Sequence, residues 1–188
     1  MSTPMHVPKF YLKQKFAMTT NVYRLVAANP DGSEGAQMGI AQQKRMALKE
    51  QVTFYADDSK SRPVFSFKAR AVMEVSAGYD VLDEAGQQLG YFKKDFGASL
   101  LRSTYHLEGP GYAGVGQERS MASALLRRFA ALPMPIHFDF VANDGTLLMS
   151  SERQMAVRDR YTITVPDERV DFRMAAAIAV AMDAMMQR

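Results

Sequence analysis

The sequence predicts a mainly β protein: a closed antiparallel barrel of about twelve strands around a buried hydrophobic C-terminal helix, with one additional amphipathic helix. Three observations predict it. Ten short period-two or β-rich runs, broken by turn signals, recur along most of the chain. Three stretches repeat one hairpin pattern. The last stretch, YTITVPDERVDFRMAAAIAVAMDAMMQR, passes from an alternating strand through a proline into an almost uninterrupted apolar run. A helix apolar nearly all round needs an enclosure. Closing the sheet around it also removes the exposed edges that many short strands would leave.

The strand-like runs are, in order, residues 9–16, 22–27, 51–55, 64–69, 71–75, 79–82, 89–93, 103–107, 136–141 and 161–165. Turns between them carry NPDG, DEAG and NDG, where Asn, Asp and Gly tolerate the backbone angles of a tight connection. NVYRLVAANPDGSEGAQMGIAQQ, GYDVLDEAGQQLGYFKK and HFDFVANDGTLLMSSER each read as strand, turn, glycine and second strand, and each is followed by another alternating run. A sheet of repeated antiparallel meanders accounts for this.

Two helices break the pattern. Residues 117–131 set Met121, Leu125 and Phe129 at helical spacing with Arg119, Ser123 and Arg127 on a polar side, and Pro133 follows. They predict a surface helix on the sheet. Residues 170–186 predict the central helix. Its 17 residues reach about 26 Å, short of the roughly 20 apolar residues of a span, and Asp171, Arg173 and Asp183 lie inside it. The helix is therefore read as buried in protein, without a transmembrane span. GPGYAGVG, at 109–116, is expected to be a flexible connection leading into the surface helix.

Composition fits one soluble domain over 1–188, with 47% hydrophobic and 23% charged residues and a mild net charge of +3. Lys9, Lys13, Lys15 and Arg24 occur in the first 30 residues without an acid, so that end is locally positive. A nucleic-acid binder carries a denser basic stripe, whereas weak attraction to an anionic membrane surface is compatible. With no cysteine there is no disulfide, thiolate nucleophile or cysteine-ligated metal, as suits a reducing cytoplasm. The N-terminus does not read as a secretory signal, and residues 1–8 are expected to be flexible.

VLDEAGQQLGYFKKDFGASLLRSTYHLEG resembles the repeated hairpin segment of the LURP-one-related and phospholipid scramblase families, which share the tubby-like C-terminal fold. YTITVPDERVDFRMAAAIAVAMDAMM resembles their closing segment, with an aromatic strand, a proline, an acidic turn and an apolar helix bearing one late aspartate. The similarity runs from Val64 to the end and implies a twelve-stranded barrel around a hydrophobic helix. The calcium loop proposed for scramblases would fall on VRDRYTITVPDE. There only Asp159 and Glu168 occupy acid positions, and Val157 and Thr162 stand where a carboxylate and a glycine are wanted. The Pro-rich region and acylated cysteines of scramblases have no counterpart.

No catalytic motif of a familiar kind occurs, and the three histidines, His6, His106 and His137, predict no metal site and no cofactor. Asp183 is the acid of the central helix. An ionised carboxylate there needs a partner or a raised pKa, and the expectation is a barrel mouth where it meets water or an inward-facing arginine. Lys68, Arg70, Lys93 and Lys94 lie on neighbouring runs and are the candidate headgroup-binding cluster. The resulting expectation is a non-enzymatic cytoplasmic binding or adaptor domain, peripheral to membranes. Its partner would be an anionic phospholipid headgroup or another protein, not nucleic acid. The alternatives are a scramblase-like lipid translocator and an enzyme with a small-molecule site at the barrel mouth.

Overall fold

The computed structural model describes residues 5–16, 20–44, 51–70, 78–95, 97, 103–119, 137–154 and 160–186. Twelve strands follow one another: β1 (Lys9–Phe16), β2 (Thr20–Ala28), β3 (Glu34–Lys44), β4 (Gln51–Tyr55), β5 (Pro63–Ala69), β6 (Tyr79–Asp83), β7 (Gln88–Asp95), β8 (Thr104–Gly109), β9 (Tyr112–Glu118), β10 (His137–Ala142), β11 (Leu147–Gln154) and β12 (Arg160–Thr164). A single helix, α1 (Phe172–Met186), comes last among the described residues. Each strand pairs antiparallel with its sequence neighbours, and β1 pairs with β12 from Lys9↔Thr164 to Lys13↔Arg160, which closes the barrel.

Alternation decides what faces the lumen. Phe10, Leu12 and Gln14 on β1, Tyr23 and Leu25 on β2, and Phe65 and Phe67 on β5 are buried in the lumen, while the residues between them have the outward parity, Tyr11 and Ser66 being covered there as well. The rings interlock around the helix. Phe54 stacks on Phe65 at 4.1 Å between centroids, and Phe172 meets Phe10 and Phe65 edge-on at 6.1 and 5.9 Å. On α1, Ala175, Ala176, Ala177, Ala179 and Ala181 are at most 2% exposed. Alanine is the strongest helix former and the thinnest, so the helix stays narrow enough for the aromatic wall to close on it.

Three repeated turns match their reading. Gly32, Gly86 and Gly145 have φ of 80°, 79° and 86°, in the left-handed region that glycine enters without cost to a Cβ.

Other expectations are corrected. GPGYAGVG is no flexible connection: it supplies the end of β8, the turn and most of β9. Its glycines serve packing, because a Cβ on Gly116 would lie 2.2 Å from the Phe140 ring and one on Gly114 would lie 2.6 Å from Leu148. Gln117 and Glu118, expected to begin the surface helix, are the last residues of β9, paired with Asp139 and Phe138. The rest of that expected helix, from 120, and the expected strand 71–75 lie outside the described residues. Met5–Pro8, expected to be flexible with the rest of 1–8, are tied to the barrel. Val165 donates to the Pro8 carbonyl at 2.8 Å, His6 Nε2 lies 2.9 Å from the Val165 carbonyl, and Phe172 donates to the Met5 carbonyl at 2.8 Å.

Asp171 caps the helix. Its Oδ1 accepts the Arg173 backbone N–H at 2.9 Å and its carbonyl accepts that of Met174 at 3.0 Å, so the free donors of the first turn are occupied. Arg173 returns to the same carboxylate with two side-chain bonds, at 2.9 and 2.6 Å, and the Met5 N–H adds a fourth donor at 3.0 Å.

Tyr112 lies at this rim, 6% exposed, and its hydroxyl has no hydrogen-bond partner among the described residues. Burial raises its phenol above the ordinary value, and the charges of Asp171 and Asp167 add to the shift. Burial and the Asp183 carboxylate raise Tyr23 in the same sense. Up to about pH 10 these phenols are neutral in both folded and unfolded chains. Above it the unfolded chain ionises first, so stability declines as pH rises past that point. Tyr112→Phe is expected to flatten the decline while changing stability near pH 7 by less than about 1 kcal/mol. Urea midpoints between pH 7 and 11 would check this, and an unaltered alkaline slope would count against it.

Candidate functional site: the outer wall and the buried acid

The outer face of β5–β8 gathers part of the expected cationic cluster. Lys68 on β5 and Lys93 on β7 point outward, and neither makes an ion pair among the described residues. Arg70 follows β5 and is engaged: its Nη2 is 2.7 Å from Asp80 Oδ1 and its guanidinium carbon lies 3.7 Å from the centre of the Tyr91 ring. It lines a cleft of about 290 Å³ with Gln88, Tyr91, Glu108 and Pro110. The Asp80 pairing holds the guanidinium firmly protonated, above its ordinary value.

Lys94 has the opposite parity. It is paired with Tyr105, which is fully buried, and its ammonium lies 5.9 Å from the centre of that ring. Strand alternation therefore divides the four-residue cluster, with Lys68, Arg70 and Lys93 on one side of the wall and Lys94 on the other. Asp80, Asp95 and Glu108 are interleaved with the outward cations, and Asp95 is 3.3 Å from His106 Nε2.

Asp183 sits inside the barrel at 2% exposure, and its partners among the described residues include two phenols. Tyr23 donates to Oδ2 at 2.8 Å and Tyr161 donates to Oδ1. Tyr23 itself receives a hydrogen bond from Gln14 Nε2 at 3.3 Å. Tyr23 and Tyr161 come from β2 and β12, the two strands that flank β1. The carboxylate thus fastens the last turn of α1 across the seam where the barrel closes. Nothing in the local sequence signals this, since Tyr23 lies 160 residues away.

His106 and His137 each meet one carboxylate, the latter with Nδ1 3.0 Å from Glu152, while His6 lies against the Val165 carbonyl, and no group of three metal-ligating side chains exists among the described residues. The stretch VRDRYTITVPDE contributes β12, with Asp167 ion-paired to Arg169 at 2.6 Å beyond it. Among the described residues no helix is long and apolar enough to cross a membrane.

A closed antiparallel barrel whose lumen is occupied by its own C-terminal helix defines the class of this protein. The model of the LURP-one-related family matches residues 39–183, and the chain belongs to that family. The match begins within β3, upstream of Val64, and ends on Asp183. No curated protein matches the chain. Among solved structures, a porin-like protein from Bacteroides uniformis ATCC 8492 is 7% identical, over 87% of this chain and 98% of its own, with a TM-score of 0.23. At that score the likeness carries no argument.

Proposed function

We propose that this barrel is a non-enzymatic binding domain that meets anionic phospholipid headgroups with its outer wall, as a peripheral protein of the cytoplasm. The observation that supports this reading is the filled lumen. Residues 174–182 of the helix are at most 2% exposed, and the helix is tethered at its start by Asp171 and near its end by Asp183. A ligand is thereby left the outside of the wall, where exposed lysines such as Lys9, Lys15 and Lys68 offer cations without an ion pair among the described residues. Such groups take phosphate oxygens by charge-assisted hydrogen bonds, and the cytoplasmic leaflet supplies them at a negative surface potential.

Liposome co-sedimentation tests the reading. Binding is expected to vesicles containing phosphatidylserine and not to neutral ones. It should be lost at high salt and be indifferent to calcium or a chelator. An absence of binding under every condition would remove the membrane and leave a protein partner as the alternative.

A further inference from the structure

Resting on the headgroup reading above, we infer that the bilayer-facing surface is the wall centred on β1, where the barrel closes, and not the wall of β5–β7. Alternation on β1 sends Phe10, Leu12 and Gln14 into the lumen, and Lys9, Tyr11, Lys13 and Lys15 outward. Lys13 lies directly opposite Arg24 on β2 and Arg160 on β12. Three cations therefore stand in one row across three strands, an arrangement that costs stability unless something offsets it.

Strands β12, β1 and β2 contain Lys9, Lys13, Lys15, Arg24 and Arg160 and not one acid. The offset comes from outside these strands. Glu34, at the start of β3, bridges Lys13 at 2.6 Å and Arg160 at 3.2 Å, and Asp58 meets Arg24 at 2.6 Å. Lys9 and Lys15 are exposed and make no ion pair among the described residues. Among the described residues, five cations against two contacting acids leave an excess of three positive charges on this wall. Arg160 is further held over the Tyr11 ring, 4.5 Å from its centre, and the Tyr11 hydroxyl donates to the Gly32 carbonyl at 2.6 Å. The array is thus fixed at its centre and open at Lys9 and Lys15. Those two lysines lie six residues apart on one strand, about 20 Å, a reach of several lipid headgroups.

The rival wall is balanced. Outward-facing Lys68, Arg70 and Lys93 share their wall with three outward acids, Asp80, Asp95 and Glu108, whereas β12, β1 and β2 carry five cations and no acid of their own. The two walls also face opposite ways. In the closed order β7 is six strands from β1 whichever direction is followed, so one flat surface touches only one of them. A planar anionic surface selects the wall with the unbalanced charge.

The test compares the wild-type chain with K9Q/K15Q and K68Q/K93Q on vesicles of neutral lipid containing a third phosphatidylserine. Neither pair takes part in an ion pair among the described residues, and far-UV circular dichroism checks that both variants fold. The expected result is a roughly 30-fold loss of affinity for K9Q/K15Q and a change under about twofold for K68Q/K93Q. If K68Q/K93Q loses affinity as much as or more than K9Q/K15Q, the assignment to the β1 wall is overturned while the headgroup reading stands. If the wild-type chain binds no anionic vesicle at low salt, the headgroup reading itself fails and takes this inference with it.

Discussion

Asp171→Ala is expected to destabilise the protein by about 3–5 kcal/mol, the cost of removing one partner from a buried ion pair. Asp171 and Arg173 are 6% and 7% exposed, and the guanidinium would be left without its carboxylate. The same substitution removes the helix cap, which alone is worth about 1 kcal/mol, and strips the acceptor from the Met5 N–H. Arg173→Ala should cost less, because Asp171 keeps its two backbone donors, Arg173 N–H and Met5 N–H. Urea unfolding followed by circular dichroism would read the difference, since the chain has no tryptophan for fluorescence. Equal losses for the two variants would show that the cap and the Met5 hydrogen bond contribute nothing beyond the ion pair.

The second large effect is expected at Asp183. Replacing it with alanine leaves the Tyr23 and Tyr161 hydroxyls without their acceptor inside the barrel. Each stranded buried donor costs about 1–3 kcal/mol, so a total of about 2–6 kcal/mol is expected. Tyr161→Phe and Tyr23→Phe should each cost less than Asp183→Ala. The cycles pairing each with Asp183→Ala should show coupling above about 0.5 kcal/mol. Additive losses in both cycles would mean that the carboxylate and the phenols stabilise the fold separately, and the idea of a clamp across the closure would be abandoned.

Much of the architecture was legible in the sequence because barrel strands alternate strictly. Period two marked the outward lysines of β1 as plainly as the inward Phe10 and Leu12, and the apolar final segment demanded an enclosure that a closed sheet of this many strands provides. The strand β9 was missed for a physical reason. Gly114 and Gly116 lower strand propensity, and their value lies in the room they make for Leu148 and Phe140, residues of later strands. The headgroup cluster was read from proximity along the chain, which says nothing about parity, so Lys94 was grouped with residues on the other side of the wall. The partners of Asp183 and the opposition of β1 to β7 depend on ring closure, a relation between ends of the chain that no local window contains.

The pairing of Lys9–Lys13 with residues 160–164 has a consequence in time. Eleven strands can add one after another by local hairpins, yet the ring stays open until the twelfth strand has met the first across some 150 residues of chain. Through that interval the aromatic wall has no helix to cover it. Folding should accordingly be slow for a domain of this size, limited by a single long-range encounter. During synthesis the unfinished barrel is a trough of exposed aromatic side chains, the kind of surface that chaperones hold. The helix that fills the barrel is then also what ends its exposure.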